Sequence, residues 1–196
     1  MPRTKILTDG DVLEAALRLM HASGPQALTF AAVARASGLS ASTLVQRFGT
    51  KALLVRATLQ RAWDQLDDKT ARIGAAVPRT AAGAVELLAA LSRDYGDIEA
   101  YAEGLLILRE DLRDPALRAR GAHWKVALCR LLDDCLAGSA LAGSAKPVPP
   151  GIGLLLATQW QGSLLWWSFD PQGDVESHVR DSLRRFLAAI GAGPPP

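Results

Sequence analysis

Apolar residues recur at helical spacing along almost the whole of this chain. No stretch of six residues alternates polar and apolar with β-branched enrichment, so strands are not expected. Thr8 is placed to cap a first helix, with Asp11 three residues on and Leu7 and Val12 at staple positions. Val12, Ala16, Leu19 and Met20 give that helix one apolar stripe, and Gly24-Pro25 ends it. Thr29 then caps a short helix to about Ser37, and Gly38 supplies a turn. Ser40 caps a second short helix from Ala41 to about Phe48, and Thr50 caps a longer one beginning at Lys51. That longer helix is expected to stop near Arg72, before Gly74 and Pro78.

The remaining pattern predicts helices over roughly Ala81–Tyr95, Asp97–Leu112, Pro115–Ala137, Ile152–Phe169 and Asp174–Ile190. Asp114-Pro115 is a start signal, a capping side chain followed by proline at the first helical position. Residues 138–151 are small and rich in Gly and Pro and read as a loop, and the terminal GPPP as a disordered tail. The fold class expected is all-α, with about nine helices and no internal repeat.

The chain has 196 residues, 49% of them hydrophobic, which is enough to bury a substantial core and excludes a disordered chain. Cys129 and Cys135 are the only cysteines, and two thiols six residues apart on one helix point in different directions. The longest apolar stretch, Ile152 to Phe169, is broken by Gln159, Gln161 and Ser163 and makes a poor membrane span. With no charged-then-apolar leader at the start, an intracellular, cytoplasmic protein is expected. His21, His123 and His178 are scattered, with no metal-ligand spacing to the cysteines. A glycine-rich phosphate loop and a nucleophile elbow are likewise missing. Enzyme chemistry, a bound metal and a cofactor are therefore not expected.

Charge sharpens the picture. Residues 1–61 hold eight basic and three acidic side chains, a net of +5, whereas residues 62–196 hold 14 basic and 17 acidic ones. No carboxylate falls between Glu14 and Asp64. A cationic front on a mildly anionic body suits a polyanionic partner. The same region carries the two short helices joined by a glycine turn, the helix-turn-helix pattern. Small Ala34 lets the helices cross closely, and Val33, Leu39, Leu44 and Phe48 form the core between them. Ala41, Ser42, Thr43, Val45, Gln46 and Arg47 are then left on the outer face of the second helix, small or polar enough for a DNA major groove.

Residues 11–58 resemble the amino-terminal domain of the TetR family, the tetracycline-repressor-like regulators. The resemblance rests on Ala15-Ala16, Leu19, Gly24, Leu28-Thr29, Val33-Ala34, Ala36, Gly38-Leu39-Ser40, Thr43-Leu44, Phe48, Lys51 and Leu53-Leu54, all in register. It implies a DNA-binding domain over residues 1–54 and a ligand-binding and dimerisation domain over 55–196. Thr43, Gln46 and Arg47 become candidate base readers, Ala41, Ser42 and Val45 close-approach positions, and Thr29 and Lys51 phosphate contacts. Arg3 and Lys5 form a short basic arm that can follow the backbone or minor groove. One position departs from the family pattern: Val45 stands where a tyrosine is common, and valine offers no hydroxyl to a phosphate.

The resemblance further implies a homodimer on a palindromic operator in double-stranded DNA, its interface a four-helix bundle built from the last two helices of each subunit. Trp160, Leu164, Trp167, Val175, Val179, Leu183, Phe186 and Ile190 are the expected contacts. An effector pocket is implied between the middle helices and the eighth, with Tyr95, Tyr101, Leu105, Leu108, Trp124, Leu128 and Trp160 as apolar lining and Arg109 or His123 as a polar anchor. The function so implied is a regulator, by the family's usual mode a repressor, released by a small, mostly apolar effector. The alternative is an apolar-ligand carrier on the same fold without DNA binding, for which Val45 is the best feature.

Overall fold

The computed structural model describes residues 7–137 and 149–191. Arg3, Lys5, most of the Gly- and Pro-containing loop and the GPPP tail lie outside the described residues. Among those described there are nine α-helices and no strand. They are α1 (Asp9–Ser23), α2 (Phe30–Ser37), α3 (Ala41–Phe48), α4 (Lys51–Ala76), α5 (Ala81–Ser92), α6 (Ile98–Arg113), α7 (Pro115–Leu136), α8 (Ile152–Phe169) and α9 (Val175–Ala189). Short 3-10 turns cover Pro25–Ala27 and Arg93–Tyr95.

Side-chain caps set most of the starts. Thr8 and Asp11 form a reciprocal capping box at α1. Thr29 Oγ1 accepts from Ala32 N at 3.1 Å, Ser40 Oγ from Thr43 N at 3.1 Å, and Thr50 Oγ1 from Leu53 N at 3.2 Å. Asp97, Asp114 and Asp174 open α6, α7 and α9 in the same way. Each such cap satisfies an amide that the first turn leaves unpaired, and contributes about 1 kcal/mol.

Among the described residues the helices sort into two compact units, one of residues 7–66 and 102–121, the other of 67–101, 122–137 and 149–191. The core of the first is Val12, Ala16 and Met20 of α1, Leu28, Val33 of α2, Leu44 of α3, Leu54 and Leu59 of α4, and Leu117 of α7. Leu39 and Phe48 are half-buried against it, as the helix-turn-helix reading expects. At its edge Trp63 Nε1 donates to Asp111 Oδ1 at 3.0 Å. Desolvation of this buried carboxyl pushes its pKa up to about 6, the Trp63 bond opposing the rise.

In the second unit α5 is covered almost all round, with α9 and α8 as its neighbours. Gly83 permits a close pass of the chain: a Cβ there would lie 1.9 Å from the carbonyl oxygen of Pro78. Gly74 explains why α4 runs to Ala76 and not to Arg72. Its missing Cβ leaves space for Leu131, whose Cδ2 would otherwise be 2.5 Å away, so this glycine serves packing inside a helix and does not end one. Arg180 of α9 bridges Glu86 of α5 and Glu176 of its own helix, both at 2.9 Å.

The raised carboxyl gives a testable sign. A folded-state pKa of about 6 exceeds the unfolded value, so the folded protein holds the extra proton between roughly pH 4 and 6. Stability from this group is therefore full at acid pH and lost as pH rises through 6. Asp111→Asn keeps an oxygen for Trp63 and removes the buried charge. Urea unfolding of the variant and the parent should coincide near pH 4 and diverge by about 2–3 kcal/mol in favour of the variant at pH 7. A constant difference across that range would contradict the assignment.

Candidate nucleic-acid interface

The site is built by three short pieces of the first unit. Helix α2 ends at Gly38, whose φ of 76° puts it in the left-handed region, where a side chain is strained. That turn lets α3 cross α2 with Val33 and Leu44 fully buried between them. Because α3 has only eight residues, burying Leu44 and half-burying Phe48 fixes which side faces out. Ala41, Ser42, Val45, Gln46 and Arg47 are all exposed and Thr43 is half-buried. Val45 is 46% exposed, an apolar side chain held in water on an otherwise polar face.

The polar groups on this face are organised at the start of α3. Ser40 Oγ sits 2.8 Å from both Ser42 Oγ and Thr43 Oγ1, so three hydroxyls cluster on one cap. Gln46 is exposed, with no hydrogen bond among the described residues. Arg47 is engaged: its Nη1 donates to the Leu7 carbonyl at 2.9 Å and lies 3.4 Å from Asp9 Oδ1. Asp9 was not singled out as a site residue, and only its place in the first turn of α1 hinted at a role. An exposed pair of this kind contributes about 0–1 kcal/mol, so it is readily exchanged for another anion. Lys51, the first residue of α4, donates from Nζ to the carbonyl of Gln26 at 3.2 Å. Thr29 caps α2 and is exposed. The structure thus gathers Ala41, Ser42, Thr43, Val45, Gln46 and Arg47 on one helix of this unit, with Thr29 and Lys51 at the starts of two neighbouring ones.

The residues expected to line an effector pocket divide between the two units. Leu105, Leu108 and Arg109 belong to the first, with both leucines exposed and Arg109 beside Glu110 at 3.5 Å. In the second, Leu128, Trp160 and Tyr101 are buried, Tyr95 and Trp124 half-buried and His123 exposed. Tyr95 and Tyr101 meet edge to face at 5.4 Å, and Trp124 and Trp160 at 6.4 Å between centroids. Both indole N–H groups are satisfied, Trp124 by Thr70 at 3.0 Å and Trp160 by Ser92 at 2.7 Å. Burial pushes the Tyr95 phenol up to about 12, so it stays neutral and can donate at physiological pH.

The expected dimer contacts divide by burial. Trp160, Leu164, Trp167, Val175, Val179 and Leu183 are buried inside their own unit. They pack among α5, α8 and α9. A helix apolar on all sides carries no angular information, so sequence alone does not show which face its own chain covers. What remains uncovered on α8 includes Leu155, Leu165, Trp166 and Phe169, the last two 71% and 75% exposed. Phe186 and Ile190 do lie beside that face, lining an apolar groove of about 650 Å³ with Leu155, Gln159 and Gly162.

Among the described residues the chain has an all-α fold with a helix-turn-helix at α2 and α3. Residues 12–58 match the model of bacterial regulatory proteins of the tetR family. Solved structures share the fold at low identity. A transcriptional regulator from Rhodococcus sp. Rha1 matches with a TM-score of 0.71 at 17% identity, over 95% of this chain and 100% of that one. A TetR-family member from Streptomyces coelicolor A3 matches at 0.61 and 22%, over 89% and 94%. The multidrug binding protein EbrR, solved with malachite green, matches at 0.60 and 23%, over 89% and 94%. No curated protein matches the chain. Among the described residues no three His, Cys, Asp or Glu side chains are grouped to hold a metal, and no helix is long and apolar enough to cross a membrane.

The turn at Gly38 can be checked directly. A Cβ there meets nothing within 4 Å, so any penalty is backbone strain alone. Gly38→Ala should destabilise by about 1 kcal/mol, and Gly38→Asn by less, in urea melts. Equal and negligible effects would show that the left-handed turn does not hold α3 in place.

Proposed function

We propose that this protein is a dimeric, DNA-binding transcriptional regulator that reads a palindromic operator through α3. The observation that carries the reading is the outer face of α3. It bears five exposed side chains and no carboxylate, on a chain with no acidic residue between Glu14 and Asp64. A face of that kind approaches a polyanion without like-charge repulsion. Gln46 is free to pair with adenine, and Arg47 with guanine once it leaves Asp9 and Leu7. Thr43, Ala41, Ser42 and Val45 allow close approach, with Val45 suited to a thymine methyl, and Lys51 and Thr29 meet phosphate. Residues 1–54 hold the DNA-reading function and 55–196 the dimer and effector functions. Repression is the family's usual mode and is the outcome proposed here.

Dimerisation is supported by the uncovered face of α8. Leu155, Gln159, Gly162, Trp166 and Phe169 recur at spacings of four, three, four and three, the seam of two helices packed along their length. Gly162 has open space where a Cβ would point, which lets a partner helix approach closely. The effector class supported by the Tyr95–Tyr101 and Trp124–Trp160 ring pairs is a molecule with an apolar or aromatic body. Malachite green bound to EbrR, a relative in fold, has that character.

Three measurements test the reading. In gel shifts of random duplexes across a salt series, a dimer making about six to eight phosphate contacts should give a log–log slope near −5 to −7. Absence of salt-sensitive duplex binding would favour the apolar-ligand carrier instead. Once an operator is selected, Arg47→Ala should relax preference at one base pair per half-site by about 1–3 kcal/mol. A uniform loss over all sequences would reduce Arg47 to a phosphate contact or a tie to α1. Sedimentation of Trp166→Glu should show a monomer where the parent is a dimer, and an unchanged dimer would move the interface off α8.

A further inference from the structure

The first unit contains an open cleft of about 560 Å³ that the reading above does not use. Pro25, Leu59 and Leu117 are buried and form its apolar floor, with Val55 half-buried beside them. Five charged side chains stand around it: Lys51 and Arg56 of α4, Glu110 and Arg113 of α6, and Asp114 at the start of α7. Their charges do not cancel. Arg56 Nε is 2.6 Å from Asp114 Oδ2, and that guanidinium holds the Asp114 carboxyl below the ordinary carboxylate range. Glu110 is engaged by Arg109, which lies outside the cleft. Two cations are left over. Lys51 is satisfied only by the neutral carbonyl of Gln26, and Arg113 is exposed and makes no ion pair among the described residues.

An apolar floor under two uncompensated cations has a definite chemical complement. We propose that this cleft binds a small organic carboxylate with an apolar body, its carboxylate held by Lys51 and Arg113 and its hydrocarbon on Leu59, Leu117 and Val55. The volume lies within the range of small-molecule sites. A neutral apolar compound would leave both cations unpaired. A fully polar anion such as inorganic phosphate would gain nothing from the floor. The site has a consequence that rests on the DNA-binding reading. Lys51 is there a phosphate contact, so a carboxylate in the cleft competes with the duplex for the same ammonium and weakens DNA binding from within the first unit.

The probe is 4-phenylbutyrate, titrated into the full chain without DNA and followed by ¹H–¹⁵N spectra and calorimetry. Saturable binding is expected, with shifts at residues 51–59 and 113–117. The uncharged 4-phenylbutanamide should bind about tenfold more weakly, as should the acid to Arg113→Gln and to Lys51→Gln, each losing one charge-assisted hydrogen bond. Circular dichroism melts of both variants should match the parent. Equal affinity for acid and amide, unchanged affinity in both variants, shifts confined to other residues, or no saturable binding each overturn the site. Because this arm contains no DNA, its failure leaves the operator reading untouched. In a second arm the acid should lower duplex affinity of the parent but not of Arg113→Gln. Binding of the acid with no change in duplex affinity of the parent would overturn the competition for Lys51.

Discussion

The arrangement depends on one packing contact, the burial of Leu44 of α3 against Val33 of α2 and the α1 side chains Val12, Ala16 and Met20. A helix of eight residues has little stability of its own in water. Its orientation comes from the few apolar groups it can bury, and α3 offers Leu44 and, in part, Phe48. Everything else on the helix is thereby turned outward. The outer face needs no separate device to display it, because the core that makes the domain stable also points the other side chains away from it.

The charge of this region is moderated by its surroundings more than a count of residues suggests. Arg61 is held by Glu14 at 3.0 Å and Arg56 by Asp114 at 2.6 Å, so two of its cations are already committed. Arg47 is held loosely by Asp9 at the surface. Lys51 alone of these four is satisfied by a neutral group. A cation already paired contributes less to a second anion, since the first partner must be given up. On the proposed reading, contact with a phosphate backbone would therefore hang on α3 and the start of α4, and less on the arginines further along α4.

Local chemistry was legible along the chain and long-range packing was not. Thr8, Thr29, Ser40, Thr50, Asp97 and Asp114 are recognisable as caps because a cap needs only a hydroxyl or carboxylate at a fixed offset from an amide. The outward face of α3 followed from spacing alone, since a two-turn helix with one buried leucine has one outward side. Gly74 misled because a glycine that ends a helix and one that admits Leu131 read the same in sequence. Which face of α8 its own chain covers was hidden for a related reason. Trp160 and Trp166 are equally apolar, yet one is 2% and the other 71% exposed, a difference set by which side α5 and α9 occupy. The Arg47–Asp9 contact spans 38 residues in sequence, and no local rule anticipates it.

The most direct test of the account is the footprint that a duplex leaves on the protein. Amide hydrogen exchange should be measured on the full chain, alone and with saturating random-sequence duplex at low salt. Protection is predicted over residues 40–51 and at the start of α2, Thr29–Ala32, with the exposed face of α8 unchanged by DNA. Protection confined to the second unit, or no protection of α3 while a duplex is bound, would contradict it.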